Sequence, residues 1–129
     1  MSSWSRPRLF AVFFQALVDS DGYVRWKAAA ALGKIGTETA ITGLLKALED
    51  SNQYVRKNAA EALGKIGTET AIAGLLKALE DSDEYVRMSA AEALGKIGSE
   101  TAIPGLLKAL EHSDEYVRKK AVEALGEIG

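Results

Sequence analysis

Apolar residues fall along this chain in two alternating helical rhythms. In residues 40–48, Ala40, Ile41, Leu44, Leu45 and Leu48 recur at three- and four-residue steps, which places them on one stripe of a helix. The polar run Glu49-Asp50-Ser51-Asn52 interrupts the pattern, and a second stripe opens with Val55, Ala59, Ala62, Leu63 and Ile66. The two stripes predict a pair of helices joined by a tight turn. The whole pattern then returns every 31 residues, as the spacing of Gly33, Gly64, Gly95 and Gly126 and of Tyr23, Tyr54, Tyr85 and Tyr116 shows. A fixed period of this length marks stacked repeats, each of which buries its core only against its neighbours. Such stacks present extended surfaces rather than closed pockets.

The regular units are 37–67, 68–98 and 99–129. Residues 7–36 read as a divergent first copy, with Phe10, Phe13 and Phe14 in the places of Ile41, Leu44 and Leu45, and residues 1–6 as a short leader. The expectation is one repeat domain over 7–129. Asn52 and its counterparts Asp21, Asp83 and Asp114 are expected to cap helix two, where an amide or carboxylate oxygen accepts the unpaired N–H groups of the first turn. Glu84 and Glu115 just inside suit the positive helix end. Gly36, Gly67 and Gly98 stand where a left-handed stop is expected. Pro104 takes the place of Thr42 in the last unit. Proline is tolerated only in a first turn, so helix one is predicted to begin near Thr39, Thr70 and Thr101, each read as an N-cap.

Gly43, Gly64 and their counterparts lie inside helices, at a cost of about 1 kcal/mol each relative to alanine. Close backbone approach between neighbouring helices, helped by Ala59, Ala60 and Ala62, is the expected compensation.

Composition mainly removes options. A net charge of −2 and a pI near 5.5 lack the basic footprint of a nucleic-acid binder. Lysines 27, 34, 57, 65, 96, 119 and 120 are offset by interleaved glutamates. Without cysteine there is no disulfide, thiolate metal site or thiol nucleophile, and one histidine, His112, leaves no acid–base relay. The longest apolar stretch, 9–18, is about half the roughly 20 residues of a membrane span. It has no small-residue cleavage pattern, so the expected location is cytoplasmic.

Val55-Arg56, Ala59-Ala60, Ala62-Leu63-Gly64 and Ile66-Gly67, then Ala71-Ile72 and Leu75-Leu76-Lys77-Ala78-Leu79, carry a family likeness. From about residue 7 onward the chain resembles the short HEAT-like repeats named after phycobilisome lyases, and artificial consensus proteins of that type. The resemblance implies an all-α fold: a right-handed α-solenoid (an α-α superhelix) of stacked two-helix repeats, with helix two on the concave face. It also implies a ladder in which an inter-helix aspartate pairs with an arginine six residues on. Asp19/Arg25, Asp50/Arg56 and Asp81/Arg87 match, and His112 breaks the series before Arg118. These arginines are read as structural and His112 as a solvated loop residue.

With helix two on the concave side, the candidate partner-binding residues follow its outward stripe. They are Tyr23, Trp26 and Lys27 in the first copy, then Tyr54, Lys57, Asn58, Glu61 and Lys65 in the second. The third adds Tyr85, Met88, Ser89, Glu92 and Lys96, and the fourth Tyr116, Lys119, Lys120 and Glu123. The second and third units differ only at Thr42/Ala73, Asn52/Asp83, Gln53/Glu84, Lys57/Met88 and Asn58/Ser89, mostly on this stripe. A tunable face and drift of solvent positions both account for that. The tyrosines either pack on the adjacent repeat or touch a partner. Stacked helices lie about 8–10 Å apart, so four rings span about 30 Å, the length of a helix of roughly 20 residues.

The expected function is a non-enzymatic scaffold for a protein or peptide, with no catalytic residue, metal or cofactor, and with neither nucleic acid nor membrane as partner. The resemblance implies the alternative of a subunit of a bilin (phycobilisome) lyase or a related phycobilisome-associated factor. HEAT-like hydroxylases depend on repeated His-Glu pairs that hold iron, and this sequence has none. Leu9, Phe10, Val12, Phe13, Phe14 and Val18 make the first helix apolar nearly all round, and the sequence stops at a unit boundary. Either these ends meet another copy or chain, the array belongs to a longer one, or the leader with Trp4 folds over the aromatic helix. Near-identical copies fit a consensus-designed array or a recent duplication equally.

Overall fold

The computed structural model describes residues 4–129, so the first three residues of the expected leader lie outside the described residues. Eight α-helices follow in order: α1 (Arg6–Ala16), α2 (Gly22–Ile35), α3 (Ile41–Ala47), α4 (Gln53–Ile66), α5 (Ile72–Ala78), α6 (Glu84–Ile97), α7 (Ile103–Ala109) and α8 (Glu115–Ile128). No strand occurs among the described residues. Odd-numbered helices form one layer and even-numbered helices the other, each odd helix packing on its successor. The architecture is an α-solenoid of two-helix repeats.

Local chemistry sets the helix ends. Asn52 accepts from the N–H groups of Tyr54 and Val55 at 2.7 and 3.3 Å, Asp83 caps α6 with the same two bonds, and Asp21 and Asp114 cap α2 and α8 through the N–H groups of Tyr23 and Tyr116 alone. Gly67 terminates α4 at φ 76°, a left-handed conformation open to glycine, and Gly36 and Gly98 repeat it. The start of helix one departs from expectation. A 3₁₀ turn comes first, Glu38–Ala40, Glu69–Ala71 or Glu100–Ala102. Thr70 and Thr101 lie inside that turn, and their N–H groups donate to the hydroxyls of Thr68 and Ser99, two residues earlier. Thr39 is likewise inside the turn, its hydroxyl bonded to that of Thr37. At Thr68 and Ser99 the capping oxygen therefore precedes the predicted one by two residues, because the tight turn consumes the Glu-Thr-Ala segment before the α-helix begins.

The two layers are spaced differently. A Cβ built on Gly33 would lie 2.8 Å from the Ala62 Cα, and one on Gly64 2.8 Å from the Ala93 Cα. Neighbouring even helices thus touch backbone to backbone, as the in-helix glycines suggested. In the odd layer the glycines face leucines instead: Gly43 meets Leu17, Gly74 meets Leu45 and Gly105 meets Leu76. Successive even helices lie along one another, while successive odd ones barely approach. The stack therefore bends toward the even layer, which becomes its inner wall. Leu44, Leu63, Leu75, Leu94 and Leu106 fill the space between layers with no exposed surface.

The first helix is the exception. No residue of α1 is buried; Phe10, Phe13 and Phe14 pack against the core from one side, leaving Leu9 and Val12 exposed. Trp4 stays half exposed, with the Arg8 guanidinium 4.2 Å above its ring.

Candidate partner-binding face

The outward stripe of the even helices runs down the inner wall, and its first turn carries the tyrosines. Each ring stands next to a capping residue, so its backbone is fixed by the cap while the side chain projects. Tyr23, Tyr54, Tyr85 and Tyr116 are between 48% and 60% exposed, which leaves their faces open instead of closing the core edge. Tyr54 and Tyr85 wall a slot of about 280 Å³, completed by Gln53, Lys57 and Asp83. In the first repeat Trp26 stands where Lys57 stands in the second. Trp26 packs edge-on against Tyr23 with centroids 5.0 Å apart, and the Lys27 ammonium lies 4.6 Å from the Trp26 ring and 5.5 Å from the Tyr23 ring.

Below the tyrosines the stripe is polar and partly self-paired. Lys57 holds Glu61 at 2.8 Å, one helical turn on. Lys120 reaches back one repeat to Glu92 at 2.9 Å and along its own helix to Glu123 at 3.3 Å. The bond to Glu92 chiefly holds the Lys120 ammonium above the usual lysine range. Asn58 donates to the Tyr54 carbonyl at 2.8 Å. Lys27, Lys65, Lys96 and Lys119 are exposed, and Met88 is half-buried. Ser89 is a correction: it is 6% exposed, its hydroxyl 3.5 Å from Glu61 of the preceding repeat, so it belongs to the repeat junction and not to the open face. A small side chain at this position is drawn in by the close approach of α4 and α6.

The arginine ladder also differs from the expected pairing. Arg25, Arg56 and Arg87 donate to the backbone carbonyls of Asp19, Asp50 and Asp81, six residues earlier, rather than to their carboxylates. Their carboxylate partners lie in the next repeat. Arg25 pairs with Asp50 and Arg56 with Asp81, both at 2.9 Å, and Arg87 with Asp114 at 2.5 Å. The Asp50 hydrogen bond chiefly holds the Arg25 guanidinium above its ordinary value.

His112 also departs from expectation, since it is not a solvated loop residue. Its side chain is 13% exposed, and its Nδ1 accepts the Asp114 N–H at 3.0 Å, the bond that the ladder aspartates make elsewhere. The neutral ring therefore carries its proton on Nε2, 3.5 Å from Glu80. Lacking an anion at 112, Arg87 turns to the capping Asp114, and that bond chiefly holds the Asp114 carboxyl below its ordinary value.

Sequence reasoning passed over Gln53 and Asp83 as groove residues, although their position beside Tyr54 and Tyr85 was the available signal. Elsewhere, the outer wall carries grooves of about 500 and 530 Å³, the first lined by Phe14, Leu17, Val18 and Lys46 among others and the second by Leu45, Leu48, Lys77 and Glu80 among others. Among the described residues no cluster of three or more His, Cys, Asp or Glu is arranged to hold a metal ion. None of the described helices is long and apolar enough to cross a membrane.

This two-layer stack with its arginine ladder is that of the HEAT repeats, whose family model matches residues 2–52 and 72–129. The chain belongs to that family. Residues 55–81 also match the PBS lyase HEAT-like repeat. Among solved structures, the chain is similar to one from the complex of CpcE and CpcF of phycocyanin lyase from Nostoc sp. PCC7120. The identity is 33%, over 99% of this chain and 55% of that one, with a TM-score of 0.82. Human deoxyhypusine hydroxylase matches at 28% identity, over 92% of this chain and 42% of that one, with a TM-score of 0.81. An armadillo repeat protein computationally designed for modular peptide recognition matches at 25% identity, 91% and 63% coverage and a TM-score of 0.69. The chain thus spans about half the length of the lyase and hydroxylase chains. No curated protein sequence matches it.

Proposed function

We propose that this chain is a non-enzymatic scaffold that grips a protein or peptide along its inner wall. The observation that carries the reading is the tyrosine row, held open at a pitch of one repeat on capped helix starts. Tyrosine offers rigid apolar area with a polar tip and loses little side-chain entropy on binding. The likeness to a repeat protein designed for peptide recognition supports the same use of the fold. Peptides selected from a random display library on the immobilised protein are expected to bind the wild-type chain. They should lose about tenfold in affinity when Tyr54→Ala and Tyr85→Ala are combined. A library that yields nothing, or binders indifferent to both substitutions, overturns the reading.

The exposed apolar residues of the terminal helices, Leu9 and Val12 in α1 and Leu107 and Val122 in α7 and α8, support self-association as a further part of this proposal. Light scattering across a concentration series decides it, and a concentration-independent monomer removes it.

The likeness to a chain of the CpcE–CpcF complex favours one second reading, a subunit of a bilin lyase. Mixing the protein with phycocyanobilin tests it: a shifted visible absorption band supports the lyase reading, and an unshifted spectrum removes it.

A further inference from the structure

We infer that the tyrosine row is built for a basic peptide in extended form, whose arginine or lysine side chains enter the slots between successive tyrosines. The inference rests on the scaffold reading and names its partner.

The modest net charge of the chain conceals a strong segregation. Eleven of the 18 acidic residues lie in the four short segments 19–22, 49–53, 80–84 and 111–115, which contain none of the 16 lysines and arginines. These segments are the turns that lead into the even helices, so the acidic edge and the tyrosines coincide. The ladder arginines offset Asp50, Asp81 and Asp114. They do not reach Asp83, whose carboxylate accepts only the backbone N–H groups of Tyr85 and Val86. Glu84, exposed beside Tyr85, makes no ion pair among the described residues.

The slot between Tyr54 and Tyr85 therefore combines two half-exposed aromatic rings with Asp83, a carboxylate that no lysine or arginine pairs. Its one cation, Lys57, is bonded to Glu61. A guanidinium suits such a place, because it stacks on an aromatic face and hydrogen-bonds carboxylates in the same plane. The chain supplies its own example at the head of the row, where the Lys27 ammonium sits over Trp26 and Tyr23. The spacing also sets a sequence rule. Neighbouring helices lie about 8–10 Å apart and an extended chain advances about 3.3 Å per residue, so one basic residue in three matches successive slots.

The test uses three fluorescein-labelled peptides in anisotropy titrations: Arg-Ser-Ser written three times, Glu-Ser-Ser written three times, and a peptide of the first composition with its arginines adjacent. The informative variant is Asp83→Asn with Glu84→Gln. Both replacements already stand at the equivalent sites of the preceding repeat, where Asn52 caps α4 with the same two bonds, so the fold is retained. The spaced arginine peptide is expected to bind, to weaken about fivefold in that variant, and to weaken as salt is added. Combining Tyr54→Ala and Tyr85→Ala should weaken it about tenfold. Absence of binding by the spaced peptide, unchanged affinity in the Asp83→Asn/Glu84→Gln variant, or equal binding by the glutamate or clustered peptide overturns the inference. Library-selected peptides that need both tyrosines yet carry no excess of arginine or lysine would sink it while leaving the scaffold reading intact. A library that yields nothing removes the scaffold reading itself.

Discussion

Arg56 and Asp81 are joined across a repeat boundary by two hydrogen bonds, Nε to Oδ2 at 2.9 Å and Nη2 to Oδ1 at 3.1 Å. The same guanidinium donates from Nη1 to the Asp50 carbonyl at 2.8 Å, so one side chain fixes the turn of its own repeat and clamps the next repeat onto it. With only 15% and 11% of the two side chains exposed, the pair is poorly screened by solvent. Arg56→Met should cost roughly 1–3 kcal/mol in urea unfolding. Arg56→Lys should recover little of that, because an ammonium cannot make the two-pronged contact. Full recovery by lysine would show that charge alone holds the junction.

Glycine-to-alanine substitutions are expected to have opposite signs in the same helix position of different repeats. At Gly64 the new methyl would meet the Ala93 backbone at 2.8 Å, and the resulting overpacking should destabilise by about 1–3 kcal/mol in spite of better helix propensity. At Gly126 nothing lies within 4 Å, so alanine should stabilise by about 0.5–1 kcal/mol. Thermal unfolding of the two variants measures both signs.

The displaced ladder contact at His112 has a signature in acid. Asp114 titrates below its ordinary value of 3.8, first because Arg87 bonds its charged form and then because the Tyr116 N–H does. A carboxyl with a depressed folded-state value stabilises the fold above its unfolded value, and that contribution is lost as pH falls through the folded one. The loss should therefore begin only below about pH 4. Asp114→Asn should flatten this limb of the stability curve while preserving the cap. His112→Asp should return Arg87 to the pairing used by Arg56 and add about 0.5–1 kcal/mol near neutral pH. No gain in denaturant midpoint would mean that the histidine is already an equal partner.

Core and face should separate cleanly in stability. Leu63 has no exposed surface, and Leu63→Ala should cost about 2–5 kcal/mol. Tyr54 is 58% exposed, and Tyr54→Ala should cost less than about 1 kcal/mol. A large loss at Tyr54 in calorimetry would assign the ring to the fold and not to recognition.

Much of this architecture was legible in the sequence because it is local. Asn52 can cap only the helix that follows it, Gly67 can stop only the helix that precedes it, and a stripe such as Val55, Ala59, Ala62 and Leu63 needs one periodicity. What escaped was cross-repeat. Arg56 selects Asp81 over Asp50 because its side chain extends along the stack, and no spacing within one repeat records that direction. Ser89 reads as a surface residue until α4 and α6 close on it. The start of helix one was missed for a different reason: Thr39 resembles a cap, but Glu38–Ala40 is spent on a 3₁₀ turn. For the candidate face, the 31-residue spacing placed the tyrosines just inside helix two but left open whether they pack on the adjacent repeat, and both their exposure and the slot needed two repeats set side by side.

The contact of Gly64 with Ala93 has a consequence beyond packing. It lies in the interior, yet it sets how far Tyr54 stands from Tyr85, and the same holds for each successive pair. The wall thus behaves as a ruler whose graduations are cut in the core, and a change of interior methyl groups would move them.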